Sequence, residues 1–132
     1  MYNEYLKQKE QYSNCVILMR AGSFYWTYNQ DAIILFYLCH YQIIKNMLGF
    51  PIRSLSKVLK KLKYEKVNFI VDDEMNICVN NEENYLPLYE KSLERYQLKE
   101  QINQIHSFLN DNIERKLIQK IIHQIEEVID EW

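Results

Sequence analysis

Three consecutive aromatic residues, Phe24-Tyr25-Trp26, follow the apolar run Cys15-Val16-Ile17-Leu18-Met19 and the break at Gly22. Glycine accepts positive φ at no steric cost, so a tight turn between two strands is expected there. Strand side chains alternate between faces, so Phe24 and Trp26 share one face and Tyr25 takes the other. One aromatic face therefore meets core and the other meets either more core or a ligand. Basic residues surround this stretch. Between Asn14 and Lys66 stand Arg20, Lys45, Arg53, Lys57, Lys60, Lys61, Lys63 and Lys66, against only Asp31 and Glu65. From Val67 onward the balance reverses, with six cations facing fourteen carboxylates. A chain basic in one half and acidic in the other points to one polyanion-facing surface, although a solvated lysine face explains the cations equally well.

Other chemistries find little support. His40, His106 and His123 lie far apart, and no Cys/His spacing matches a zinc site. Asp72-Asp73-Glu74 places three carboxylates together, but an acidic turn between two strands accounts for them without a metal-dependent nuclease. No GxxxxGK[ST] phosphate loop is present, so ATP hydrolysis by that route is excluded, and no cofactor is expected. Three cysteines at unrelated spacings suit reduced thiols in a cytoplasmic protein, with Cys15, Cys39 and Cys78 in core positions. The polar N-terminus has no signal-peptide apolar core, and no apolar run approaches the roughly 20 residues of a membrane span.

The elements that must position these residues follow from periodicity. A helix is expected from Met1 to about Tyr12, then a hairpin-like strand pair over 15–21 and 23–28. Asn29 is a suitable N-cap, and Asp31 favours a helix start for Gln30–Tyr41, which is apolar almost all round and so deeply buried. Ile43–Leu48 reads as a short strand or extended link, and Gly49-Phe50-Pro51 as a turn. A helix to about Lys63 carries the stripe Leu55, Val58, Leu59 and Leu62. Val67–Val71 and Met75–Val79 read as strands. Beyond the polar linker 80–84, apolar spacings of three and four run from Leu86 to Leu109 with a slip in phase near Tyr96. Ile113–Trp132 then carries a wide apolar face, and Asn110-Asp111-Asn112 between the two makes an αα-hairpin. That face either packs back on the domain or pairs with a second copy. The expected fold is α/β (α+β): a mixed sheet flanked by helices over residues 1–82, with a C-terminal two-helix hairpin over 83–132.

Over about residues 1–80 the ordered motifs resemble the N-terminal mismatch-recognition domain of MutS-type DNA repair proteins. The matching residues are Tyr5-Leu6-Lys7-Gln8-Lys9, the strand Val16–Arg20, Gly22-Ser23-Phe24-Tyr25-Trp26, Asp31-Ala32, and Gly49-Phe50-Pro51 where the family has Gly-Ile-Pro. The chain is too short to hold the other parts of such a protein. The resemblance implies that Phe24 enters the minor groove and stacks on a mispaired base. The family's Glu, two residues after that Phe, is replaced by Trp26, which offers only an indole N–H donor. Trp26 is then either a second stacking surface or a core residue. The region carrying the family's projecting hairpin is shorter here. The resemblance thus implies a stand-alone, non-catalytic module for mismatched or distorted duplex DNA, nucleoid-associated if it binds. Its expected contacts are Phe24, Trp26, Arg20, Arg53, Lys57, Lys60 and Lys61, with the cations on the same side as Phe24. A homodimer through the C-terminal helices is the competitor to packing of their apolar face back on the domain. The alternative is an interaction scaffold acting with repair or replication proteins.

Overall fold

The computed structural model describes all residues except 73–75, 79–81, 111–114 and 132, with side chains also omitted at 76–78, 82, 109–110 and 115–118. Helix α1 (Tyr2–Gln11) leads into β1 (Cys15–Ala21) and β2 (Phe24–Tyr28). Then come α2 (Asn29–Cys39), β3 (Met47–Pro51), a 3-10 turn at Ile52–Ser54 and α3 (Leu55–Tyr64). Strands β4 (Asn68–Val71) and β5 (Asn76–Cys78) follow, then α4 (Tyr85–Asn110) and α5 (Arg115–Asp130). The sheet order is β3-β2-β1-β4-β5, with β1 and β4 parallel and the other pairs antiparallel. This is the expected mixed α+β architecture. The acidic turn after Asp72, the linker at 79–81, and the bend between α4 and α5 lie outside the described residues.

Alternation along β1 divides the core. Val16 and Leu18 join Tyr25, Phe50, Phe69 and the inner stripes of α2 and α3, with Leu55, Val58, Leu59 and Leu62 all buried. Cys15, Ile17 and Met19 face the other way, against Tyr5, Tyr28 and Ile70. Helix α1 lies on that second face. The β1–β2 turn has the form expected of a two-residue hairpin loop: Ala21 pairs with Phe24, and Gly22 has φ of +62°.

Two expectations are corrected. Gly49-Phe50-Pro51 is not a turn but the body of β3, paired with Trp26, Tyr25 and Phe24 in turn. The turn lies earlier, where Ile44 and Met47 exchange backbone hydrogen bonds of 2.8 and 3.0 Å around Lys45 and Asn46. Burial of Phe50 and the Trp26 ring over Gly49 outweigh the turn-forming composition. Asn29 is not a side-chain N-cap either. It sits at φ +52°, and its amide instead donates to the Tyr2 hydroxyl at 3.0 Å.

Two compact units divide at Leu93 and Glu94, inside α4. Tyr85 and Leu88 belong to the core of the first unit. In the second, Leu98 and Ile102 meet Ile122 and Ile129 of α5, and Lys99 pairs with Asp130 at 2.9 Å. The slip in phase near Tyr96 marks this transfer of the apolar stripe from one core to the other.

Candidate functional site

Met19 pairs with Trp26, Arg20 with Tyr25 and Ala21 with Phe24. Paired residues share a face, so Phe24 and Trp26 stand on the α1 side of the sheet and Tyr25 on the α2–α3 side. Tyr25 is fully buried and stacks on Phe50 at 5.8 Å, which stacks in turn on Tyr41 at 5.6 Å. Phe24 is 42% exposed at the strand's start, and its ring lies 5.9 Å from that of half-buried Trp26. Trp26 rests flat over Gly49. A β-carbon there would come within 2.5 Å of the indole, so only glycine fits beneath the ring. Helix α1 covers this face at Cys15, Ile17, Met19 and Tyr28, and the Phe24–Trp26 pair stands beside that covered part.

The cations do not all gather at Phe24. Arg53 is exposed, two residues after Pro51, the β-partner of Phe24, and the Ile52 amide donates to the Ser23 carbonyl at 3.1 Å. Arg53 is therefore near the aromatic pair. Arg20 pairs with Tyr25 and belongs to the opposite face, which corrects the expectation that it flanks Phe24. Lys57, Lys60 and Lys61 are on α3, packed against that same opposite face. Lys57 and Lys60 are exposed. Lys61 is partly buried and donates to the Leu38 carbonyl at 2.8 Å, where it satisfies the C-terminal end of α2.

A pocket of about 400 Å³ opens beside Trp26 at the β3 edge. Trp26, Met47 and Gly49 line it from the sheet, and Tyr41, Gln42, Ile44 and Lys45 from the segment after α2. Sequence reasoning missed this pocket because it placed the turn at Gly49. Lys45, overlooked as a site residue, lines this pocket together with Trp26.

A second constellation lies in the core. Asp31 is fully buried and accepts from Tyr5 Oη at 2.6 Å, Lys9 Nζ at 2.8 Å, the Ile17 backbone amide at 3.2 Å, and Tyr85 Oη. Lys9 also donates to the Cys15 carbonyl at 2.7 Å and lies over the Tyr85 ring, 4.2 Å from its centroid. β2 pairs with β1 only from Met19 onward, so Cys15–Ile17 pair with β4 on one side and meet no strand on the β2 side. The Lys9–Asp31 pair supplies donor and acceptor there. Burial and the neighbouring Asp31 carboxylate push both the Tyr5 and Tyr85 hydroxyls well above the usual phenol range. This cluster is structural, and the sequence held a signal for it: Asp31 is the lone charge in an otherwise apolar helix. Among the described residues no group of three His, Cys, Asp or Glu could hold a metal ion. No helix among them is long and apolar enough to cross a membrane.

Comparison with known proteins shows which family the sequence resembles. The sequence model of a family described as MutS domain I matches residues 1–121, well beyond the 80 residues over which the motifs alone were legible. A DNA mismatch repair protein MutS from Thermotoga neapolitana is 32% identical over 79 residues, covering 57% of this chain and 10% of the relative. The corresponding protein of Thermotoga petrophila is 30% identical over the same length and coverage. That of Petrotoga mobilis is 35% identical over 66 residues, covering 47% of this chain and 8% of the relative. The chain thus spans about a tenth of the length of these relatives.

Proposed function

The chain belongs to the MutS domain I family, and from that premise we propose that it is a cytoplasmic, non-catalytic module that binds duplex DNA at mispaired or distorted sites. The observation that carries this reading is Phe24, an apolar ring left 42% exposed at a surface turn and braced by Trp26. An apolar ring wedged into a base step costs a few kcal/mol of unstacking, least where pairing is already poor. Stacking returns roughly 1–3 kcal/mol per base. The difference between the cost at good and poor pairs selects distorted DNA without reading sequence. Arg53 and Lys45, at the two ends of the aromatic pair, are suited to the adjoining phosphates.

Fluorescence anisotropy on matched and mismatched duplexes at two salt concentrations tests the proposal. With few phosphate contacts, duplex binding is expected at about micromolar or weaker, falling modestly as salt rises. Mismatched DNA is expected to bind modestly tighter, and Phe24→Ala to abolish that margin. Equal affinity for both duplexes, unchanged by Phe24→Ala, would sink the wedge.

A second reading, a dimerisation or interaction scaffold, is favoured by one observation. Ile105, Phe108, Ile121, Ile125 and Val128 of the hairpin are 51%, 68%, 49%, 45% and 55% exposed. Apolar residues clustered at a surface mark an interface, and a second copy of the hairpin is the proposed partner. The two readings are compatible, since pairing two weak modules raises effective affinity without new DNA contacts.

A further inference from the structure

Beside the wedge, Gly49, Trp26 and the 41–47 segment form a concavity whose chemistry is distinct from that of an exposed ring. Its volume, about 400 Å³, is near the lower end of pockets that hold small ligands, roughly 300–1,000 Å³. The absent side chain of Gly49 leaves its floor open to the Trp26 ring. Trp26 and Tyr41 bring aromatic surface, and Ile44 and Met47 apolar surface. Gln42 adds an amide, which donates and accepts at once, and Lys45 adds a cation. A flat, apolar-faced heterocycle with a polar edge and an adjoining anion fits that combination.

We propose that this pocket receives an unpaired nucleobase displaced from a duplex, with Gln42 against the polar edge of the base and Lys45 against a flanking phosphate. The proposal rests on the DNA-binding reading above and specifies where the displaced base goes. Phe24 and Trp26 are neighbours at 5.9 Å, so the ring that would enter the base step and the wall of the pocket form one continuous aromatic surface. A base pushed out by the first has the second beside it.

The turn that carries Lys45 supplies a further argument. Lys45 and Asn46 have φ of +53° and +62°, a left-handed pair that asparagine and glycine normally occupy. Backbone bonds between Ile44 and Met47, and from the Asn29 amide to the Asn46 carbonyl at 2.9 Å, hold the turn in place. Strained non-glycine positions cluster at ligand clamps. Here the strain holds a lysine at the pocket.

The test compares three duplexes by anisotropy: fully matched, with a single unpaired adenosine, and with an abasic residue in the same bulge. The base-bearing bulge is expected to bind roughly fivefold or more tighter than the abasic one, the lower end of what one stacked base contributes. Gln42→Ala should reduce that ratio. Ile44→Trp, which fills the pocket from a position that is 66% exposed and changes no charge, should bring it to one. Both variants are expected to keep the parent unfolding midpoint, and each ratio compares two bulges on the same variant, so a general loss of affinity cancels. Equal affinity for the two bulges, with both still preferred over matched DNA and that preference still lost on Phe24→Ala, overturns the pocket and leaves the wedge. No preference for either bulge over matched DNA overturns both.

Discussion

Asp31 gathers two hydroxyls, an ammonium and a backbone amide around one fully buried carboxylate. Removing one partner of a buried ion pair leaves the other uncompensated, which costs more than the pair itself contributes. Asp31→Ala is expected to lower stability by about 3–5 kcal/mol in urea unfolding. Tyr85→Phe, which deletes the bond donated to Asp31 and the one accepted from Lys9, should cost at least about 1.5–3 kcal/mol. The raised hydroxyls of Tyr5 and Tyr85 also set a pH dependence. Above the ordinary phenol value of 10 the unfolded chain loses tyrosine protons that the folded chain keeps. Stability is therefore complete below pH 10 and falls as pH rises beyond it, by about 1.4 kcal/mol per pH unit for each hydroxyl. Unfolding at pH 9 and 11 should reveal the loss, and Tyr85→Phe should remove about half of it. The left-handed lysine gives an opposite kind of variant. Lys45→Gly relieves a strain of about 1–2 kcal/mol against a glycine entropy cost of about 0.5–1 kcal/mol, so a gain near 0.5–1 kcal/mol is expected. The same change should weaken binding to bulged DNA.

At the scale of elements, the lysines of α3 are not equivalent. Lys61 satisfies a carbonyl at the end of α2, and Lys60 is exposed. Lys61→Ala is expected to cost about 1 kcal/mol of stability through the lost cap. Lys60→Ala, on the face away from Phe24, should leave the unfolding midpoint and duplex affinity unchanged, whereas Arg53→Ala should weaken all duplexes alike and reduce the salt slope by about one. If the two lysine variants behave alike in both assays, the division is wrong. Strand β3 works on both faces of the sheet. Phe50 locks the aromatic column Tyr25–Phe50–Tyr41 on one side, and Gly49 seats Trp26 on the other. That double role explains why a Gly-Phe-Pro segment is a strand here.

For the whole molecule, the charge division and the hairpin make one prediction together. The acidic residues from Val67 onward oppose DNA, so on the proposed reading affinity comes from the basic part of the chain and from pairing of modules. Sedimentation at micromolar concentration is expected to show a dimer. Ile125→Lys with Val128→Lys should give a monomer that binds every duplex at least tenfold more weakly. A monomeric parent protein with unchanged DNA affinity in the variant would remove pairing from the account.

The sequence by itself determined the helices, the strands β1, β2 and β4, and the turn at Gly22, but not β3. Period-3.6 and period-2 stripes, with one of only two glycines between two strands, leave few alternatives locally. It also separated Tyr25 from Phe24 and Trp26, because strand alternation is a property of the backbone. Which of those faces was covered was a matter for the tertiary structure, since α1 and α2 could each have packed over the aromatic pair. Only the fold brought Lys9, Asp31 and Tyr85 together across 76 positions of chain, where they take the place of β2 beside the start of β1. The same holds for Arg20, whose face depends on register, and for Lys61, whose carbonyl partner is 23 residues away. The pocket at Lys45 was hidden for a related reason: composition places turns by glycine and proline. Here long-range packing around Trp26 and Phe50 drew Gly49 and Pro51 into a strand and left the turn to lysine and asparagine.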